Sequence, residues 1–335
     1  MVAKTTLRSI SVHPRSQPRS SHVALGRRCQ RQRRAAHHSH ASTGSGNAAA
    51  SLDEGLPFLY SARLVTLHRA IDEAGDRLVA TDGSQAQSSL GYYAIRAWGV
   101  KESHSNVTGV NLTGYVRQNS TDRPYGVAND YVASTLGTAI GLEVPPGRLI
   151  RLPGDEVGYL SMGFSDKGDR LPPALLGKLA AERPWDAAGI LAFDQWIYNT
   201  DRHDENLAYA SDVGLAIFDH DRSVINTPPA SDPYALLNYA RDQALTGHKL
   251  APHIVSDEYF ASWSARIASI DIREIRRAVA ACQSAKLISS EMQAKVVDFL
   301  HHRQSRIDTF ILRTRLEFNK VTAWSGSTGE VSDVG

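Results

Sequence analysis

Phe193-Asp194-Gln195-Trp196-Ile197-Tyr198-Asn199-Thr200-Asp201-Arg202-His203-Asp204-Glu205-Asn206-Leu207, with Ile217-Phe218-Asp219-His220-Asp221 close behind it, is the stretch whose reading decides the fold. Residues 191–197 can end a helix and residues 199–206 read as a loop. Residues 207–210 and 215–218 alternate like the strands of a hairpin around Ser211-Asp212-Val213-Gly214. Asp201, Asn206 and Asp219 are then expected to converge at one end of that hairpin.

Those residue types suit phosphoryl transfer. A carboxylate must stand near the attacking hydroxyl to orient it and take its proton, and Mg²⁺ bridging phosphates needs hard oxygen ligands such as an Asp carboxylate or an Asn carbonyl. Asp201 is the expected base, with Asn206 and Asp219 as metal ligands, and the D-x-x-x-x-N spacing from Asp201 to Asn206 is that of kinase catalytic loops. His203 is suited to hydrogen-bond the loop or a phosphate oxygen, and Asp221 to add a further carboxylate. A different chemistry also draws on this stretch: Asp201, His203, Asp219, His220 and Asp221 as ligands of a transition metal in a hydrolase.

Outward from the loop, the patterns divide the chain into two halves. Upstream, β-formers alternate with Gly and Ser between residues 80 and 116, which predicts a small antiparallel sheet. Asn129 is the expected cap of a helix with apolar positions Val132, Leu136, Ala139 and Ile140, ended by Gly141 and Pro145. Residues 148–152 and 157–162 read as a hairpin around Pro153-Gly154-Asp155. From residue 174 onward helices dominate. Asp271 with Glu274 predicts one helix start, and Ser290 with Gln293 a capping box opening one long helix through Val297, Leu300, Ile307 and Ile311. The expected class is α+β.

Composition sets the frame. The 335 residues are 42% hydrophobic and 21% charged, enough for one large core or two packed lobes. The formal net charge is +2, yet no Asp or Glu precedes Asp53, so the basic residues concentrate in a Ser- and Arg-rich leader while the rest is mildly acidic. That leader has little to bury and reads as a disordered tail, the one segment suited to nucleic acid through phosphate contacts. Two cysteines, Cys29 and Cys282, argue against a disulfide framework. A reducing compartment fits that cysteine usage, so the expected location is the cytoplasm, and no apolar run reaches membrane-spanning length, so no membrane partner is expected.

The loop residues also resemble a known family. Asn199-Thr200-Asp201-Arg202-His203-Asp204-Glu205-Asn206 is similar to the N-x-D-x-H-x-x-N loop of HipA-like kinases, and Asp201-Arg202-His203 with Asn206 to the corresponding loop of phosphoinositide lipid kinases. Ala128-Asn129-Asp130, with Leu136, Gly141-Leu142 and Val144-Pro145, resembles the helix that precedes it in the HipA-like family. The resemblance implies a bilobal protein-kinase-like fold with a basic tail at 1–52, a small β-rich N-lobe at 53–163, a mainly helical C-lobe at 164–322 and a polar tail at 323–335. It further implies ATP and Mg²⁺ as cofactors and transfer of the γ-phosphate to Ser or Thr of a protein, the chain itself included. A kinase of this type carries a phosphate-gripping strand lysine paired with a helix glutamate. Here Gly114-Tyr115-Val116-Arg117 offers Arg117 and the helix offers Asp130, with Arg96 and Lys101 as competing candidates for the lysine's place. Asp82-Gly83-Ser84-Gln85 resembles the family's turn before that strand, with Gly83 and Ser84 against phosphate. The missing lysine keeps a second reading open, a nucleotide-binding regulator without turnover.

Overall fold

The computed structural model describes residues 114–152, 156–162, 173–211, 214–226 and 231–325, and the backbone of short strands at 78–80, 86–87, 93–95 and 98–100. All of them belong to the unit Asp53–Gly335. Strands β1 (Leu78–Ala80) and β4 (Trp98–Val100) pair with each other. A five-stranded antiparallel sheet runs in the order β2 (Ala86–Gln87), β3 (Tyr93–Ile95), β5 (Gly114–Arg117), β7 (Val157–Met162), β6 (Gly147–Arg151). The expected upstream sheet and the 148–152/157–162 pairing are therefore present, and the turn residues 153–155 lie outside the described set.

Register explains what β5 carries. Val116 stands opposite Leu160 and Arg117 opposite Tyr159. Side chains alternate across a strand, so Val116 and Arg117 enter opposite faces, and both are buried. A buried guanidinium is tolerable only where carboxylates or carbonyls meet it. The helix α1 (Gly126–Ala139) covers that face, with Tyr131 meeting Tyr159 edge to face at 6.5 Å.

The start of α1 differs from the sequence expectation. Its first residue is Gly126 and its N-cap position is Tyr125, so Asn129 is an interior helical residue rather than the cap. The Asn129 side chain has better partners than its own backbone. Its amide donates to the carbonyls of Asp221 at 2.7 Å and Ile225 at 3.2 Å and accepts from Ile225 N–H at 3.0 Å. The helix ends as expected at Gly141, whose φ of +83° suits a residue without a Cβ.

The second half builds a helical core around α3 (Pro184–Ile197), which follows α2 (Leu176–Glu182). Apolar residues surround the whole circumference of α3, from Ala187 and Ile190 to Phe193, Trp196 and Ile197, as befits a central helix. Gly189 is what lets α5 (Phe260–Ala268) approach it: a Cβ there would lie 2.3 Å from Trp263. Trp263 cannot yield, because it is fully buried and its indole N–H donates to the Trp185 carbonyl at 2.8 Å. In an exposed helix Gly→Ala stabilises by about 1 kcal/mol, whereas overpacking a core costs about 1–3 kcal/mol. Gly189→Ala should therefore lower the thermal midpoint, and a denaturation curve that rises instead would show that the two helices can separate freely.

Strands β8 (Leu207–Ala210) and β9 (Gly214–Ile217) form the expected hairpin, and helices α4 (Pro233–Ala240), α6 (Ile272–Ser284), α7 (Ser290–Gln304) and α8 (Ile307–Arg313) complete the core. Asp271 caps α6 by accepting from Arg273 N–H at 2.8 Å, but Glu274 turns to Arg277 instead of reaching back. For α7 the cap is Ser289, which accepts from Met292 N–H, rather than Ser290. The single long helix expected there is two helices, Ser290–Gln304 and Ile307–Arg313, with Arg303 turned inward in the last turn of the first. Arg303 is fully buried, donating to the carbonyls of Gln195, Trp196, Ala240, Arg241 and Gln243. A cation there meets the negative C-terminal ends of α3 and α4. Burial pulls its pKa down to about 9, which leaves it charged at neutral pH. Packing continues to Trp324, whose ring stacks on Phe260 at 6.5 Å. Among the described residues no helix is long and apolar enough to cross a membrane.

Candidate active site

The loop after α3 is braced from beneath by Asp194. This carboxylate is wholly buried and accepts from Arg202 Nε at 2.8 Å and a second Arg202 nitrogen at 3.1 Å, from Asn199 at 3.0 Å and pairs with His248 Nε2 at 3.0 Å. Burial alone would push its carboxyl up; Arg202 and His248 outweigh that and hold it well below the usual carboxylate range. The Arg202 guanidinium also donates to the carbonyls of Asn206 at 3.0 Å and Phe218 at 2.8 Å. One side chain thus ties both ends of the β8–β9 hairpin to the loop. The backbone adds Phe218 N–H to Asn206 O at 3.3 Å and Thr200 N–H to Arg222 O at 3.3 Å.

This frame brings Asp201, Asn206 and Asp219 to one end of the hairpin. Asn206 donates its amide to the Asp201 carbonyl at 2.8 Å, while its Oδ1 is buried without a hydrogen-bond partner among the described residues. Asp201 is half-buried, with its carboxylate 3.4 Å from Arg222. Asp219 adopts a left-handed φ of 57°, an uncommon conformation outside glycine. It is held there because the next residue, His220, donates its N–H to Asp130 Oδ1 at 2.6 Å. His203 serves the loop itself: its Nδ1 accepts from Glu205 N–H at 3.2 Å and opens the short 3₁₀ turn at Asp204–Asn206.

Arg117 completes the arrangement from the sheet. Its Nε lies 2.5 Å from Asp130, and its terminal nitrogens lie 2.7 Å from Asp219 and 2.7 Å from Asp221. Arg123 adds a second contact to Asp221 at 3.2 Å. Three carboxylates therefore gather around one fully engaged guanidinium and a partly exposed one. Burial raises the Asp219 carboxyl; Arg117 opposes this, but the neighbouring carboxylates of Asp130 and Asp221 add to it, and the result is about 7. Among the described residues, three carboxylates meet two guanidinium groups here.

The donor types suit a hard divalent cation: an orphaned Asn206 carbonyl oxygen and, one residue beyond the Phe218 that bonds the Asn206 backbone, the Asp219 carboxylate. Among the described residues no three His, Cys, Asp or Glu side chains are gathered as a ready-made metal cage. Mg²⁺ in phosphoryl-transfer sites needs none, since phosphates and water complete its shell. Among the described residues the transition-metal set is not assembled either: Asp219 and Asp221 face Arg117, His203 serves its own loop, and His220 is fully buried against Phe193, ring centroids 5.9 Å apart. Gly83, Ser84, Arg96 and Lys101 lie outside the described residues.

Sequence reasoning missed three members. Asp194 had a signal, an acid inside an otherwise apolar helical run; Arg202 was read only as part of a motif; His248 carried no signal at all. Asp221 was anticipated as an extra carboxylate, but not as a partner of Arg117.

No family model and no curated protein matches the chain. Among solved structures it is similar to the Helicobacter pylori proinflammatory kinase CtkA, at 14% identity and a TM-score of 0.47, over 74% of this chain and 97% of that one. It is also similar to HipA of Shewanella oneidensis MR-1, solved with HipB and operator DNA, at 14% identity and a TM-score of 0.37, over 72% of this chain and 69% of that one.

Proposed function

We propose that the chain is an ATP- and Mg²⁺-dependent kinase that transfers the γ-phosphate to a hydroxyl, with Ser or Thr of a protein as the acceptor. The observation that carries this reading is the buried, unpartnered Oδ1 of Asn206, on a residue whose backbone bonds Phe218 next to Asp219 at the hairpin end, with Asp201 on the same loop. When bound, Mg²⁺ would neutralise phosphate charge, with Asn206 and Asp219 as its protein ligands. Asp201, half-open to solvent, is suited to orient the acceptor hydroxyl and take its proton. Arg202 and Asp194 keep these oxygens in register, and Asn129 with Asp130 ties the 219–225 segment to α1.

A second reading is a nucleotide-binding regulator without turnover. It is favoured by one observation, that Arg117 in the strand-lysine's place is committed to three carboxylates. Purified protein incubated with γ-labelled ATP and Mg²⁺, alone and with cell lysate, separates the two. Label on protein that vanishes in Asp201→Ala supports the kinase. Mg²⁺-dependent ATP binding with no label supports the regulator, and neither binding nor label would sink both.

A further inference from the structure

A nucleotide triphosphate carries more negative charge than one divalent cation neutralises, and the arginines described around the site differ in what they can offer it. Arg117 meets three carboxylates, Arg202 is held by Asp194 and two carbonyls, and Arg123 spans Asp221 and the Asp122 carbonyl. Arg222 is different. Its side chain is 42% exposed, and among the described residues its one side-chain partner is the Asp201 carboxylate, 3.4 Å from Nε. That Nε is shielded from solvent and makes no hydrogen bond, while both terminal nitrogens are without a partner among the described residues.

The backbone beneath this side chain is fixed. The Arg222 carbonyl accepts from Thr200 N–H at 3.3 Å and from the Thr200 hydroxyl at 3.4 Å, Ser223 donates its N–H and its hydroxyl to the His220 carbonyl at 3.0 and 2.7 Å, and Ile225 is bonded to Asn129 on α1. We propose that Arg222 is a phosphate-contacting residue: its Nε edge steadies the Asp201 carboxylate, and its terminal nitrogens bind oxygens of the phosphoryl group that is transferred. This rests on the reading of Asp201 as the base. In that reaction the acceptor oxygen bonds to the γ-phosphorus, the bond to the β,γ-bridging oxygen breaks, ADP leaves and the hydroxyl proton goes to Asp201. The base stands beside the attacking hydroxyl, so a guanidinium held against the base stands within reach of the phosphoryl oxygens. A planar fork matches two phosphate oxygens as it matches a carboxylate, and here the contact forms without giving up a partner. Arg222 thus supplies, from the loop side, the phosphate contact that a strand lysine makes in other kinases.

The test uses the full chain with Mg²⁺ and two nucleotides, ADP and a β,γ-imido analogue of ATP whose phosphate cannot be transferred, each titrated by calorimetry. Wild type should bind the analogue more tightly than ADP. In Arg222→Gln the affinity for the analogue should fall by about 10-fold with that for ADP unchanged, the loss of one charge-assisted contact. Arg222→Lys, which keeps the charge without the fork, should fall between. The side chain's one contact is an exposed ion pair, so both variants should keep the wild-type thermal midpoint. Single-turnover transfer from labelled ATP should fall further than binding, by about 10²-fold in Arg222→Gln, because charge spreads onto the same oxygens in the transition state.

An equal loss of affinity for ADP and the analogue would overturn the contact with the transferred group and place Arg222 against the phosphates that ADP retains. Unchanged binding of both nucleotides would overturn it too. A loss of transfer confined to Ser peptides flanked by Asp or Glu would then assign the terminal nitrogens to an acid on the acceptor, and unchanged transfer would leave Arg222 a surface ion pair. A variant that fails to fold would make Arg222 a residue that holds the loop rather than phosphate. If wild type itself binds neither nucleotide, this inference and the kinase reading beneath it fall together, an outcome distinct from nucleotide binding that ignores Arg222.

Discussion

Asp201→Ala is expected to lose phosphoryl transfer by about 10²–10⁴-fold, the usual contribution of a positioned acid–base group, with ATP affinity little changed. The variant isolates chemistry because the backbone of residue 201, rather than its carboxylate, holds the loop. Asp201 N–H donates to Asn199 Oδ1 at 3.2 Å, and its carbonyl accepts from the Asn206 amide at 2.8 Å. Alanine keeps both bonds and so keeps Asn206 in place. What it removes is the carboxylate and its exposed pairing with Arg222, a contact of the kind that contributes roughly 0–1 kcal/mol. Single-turnover transfer from labelled ATP, beside a nucleotide titration of the same protein, reads the two effects separately. A wild-type transfer rate in the variant would remove Asp201 from the proton-transfer role. A parallel loss of ATP affinity would instead place it in nucleotide binding.

The largest stability effect is expected at Asp194. Asp194→Ala leaves Arg202 and His248 buried beside the gap and Asn199 without its acceptor, and breaking a buried ion pair from one side costs about 3–5 kcal/mol. Chemical denaturation measures it directly. Acidity supplies an independent check, with the sign set by the lowered carboxyl. A group whose pKa is depressed on folding stabilises the native state fully above its unfolded value, about 3.9, and that stabilisation fades as pH falls below it toward the folded value. The gap between wild type and Asp194→Ala should therefore be constant from neutral pH to about pH 5 and narrow in stronger acid. A gap that is flat across the whole range would mean that Asp194 contributes by packing rather than by charge. Transfer activity should fall with stability here, since the Arg202 bridge between Asn206 and Phe218 loses its anchor.

Elements with short-range causes were legible in advance. The β8–β9 hairpin follows from alternation around Gly214, the end of α1 from Gly141, and the cap of α6 from Asp271. The gathering of Asp201, Asn206 and Asp219 was legible for the same reason, because a hairpin converts a sequence interval into proximity. The expectations that failed did so where a distant partner outcompeted a local one. Asn129 looks like a cap but bonds Asp221 and Ile225, and the expected long helix through Leu300 and Ile311 divides where Arg303 reaches the ends of two other helices.

By itself, the sequence determined an α+β chain with a strand-rich first half, a helical second half, and an acid- and amide-bearing loop beside a hairpin. Those features depend on residue types a few positions apart, and elementary backbone chemistry reads them. Only the tertiary structure decided what Arg117 does. Its partners Asp219 and Asp221 lie 102 and 104 residues away in the chain, and no local spacing encodes such a meeting. It arises because β5 turns alternate side chains to opposite faces, α1 covers the face that Arg117 enters, and the left-handed turn at Asp219 brings two more carboxylates to the same buried point.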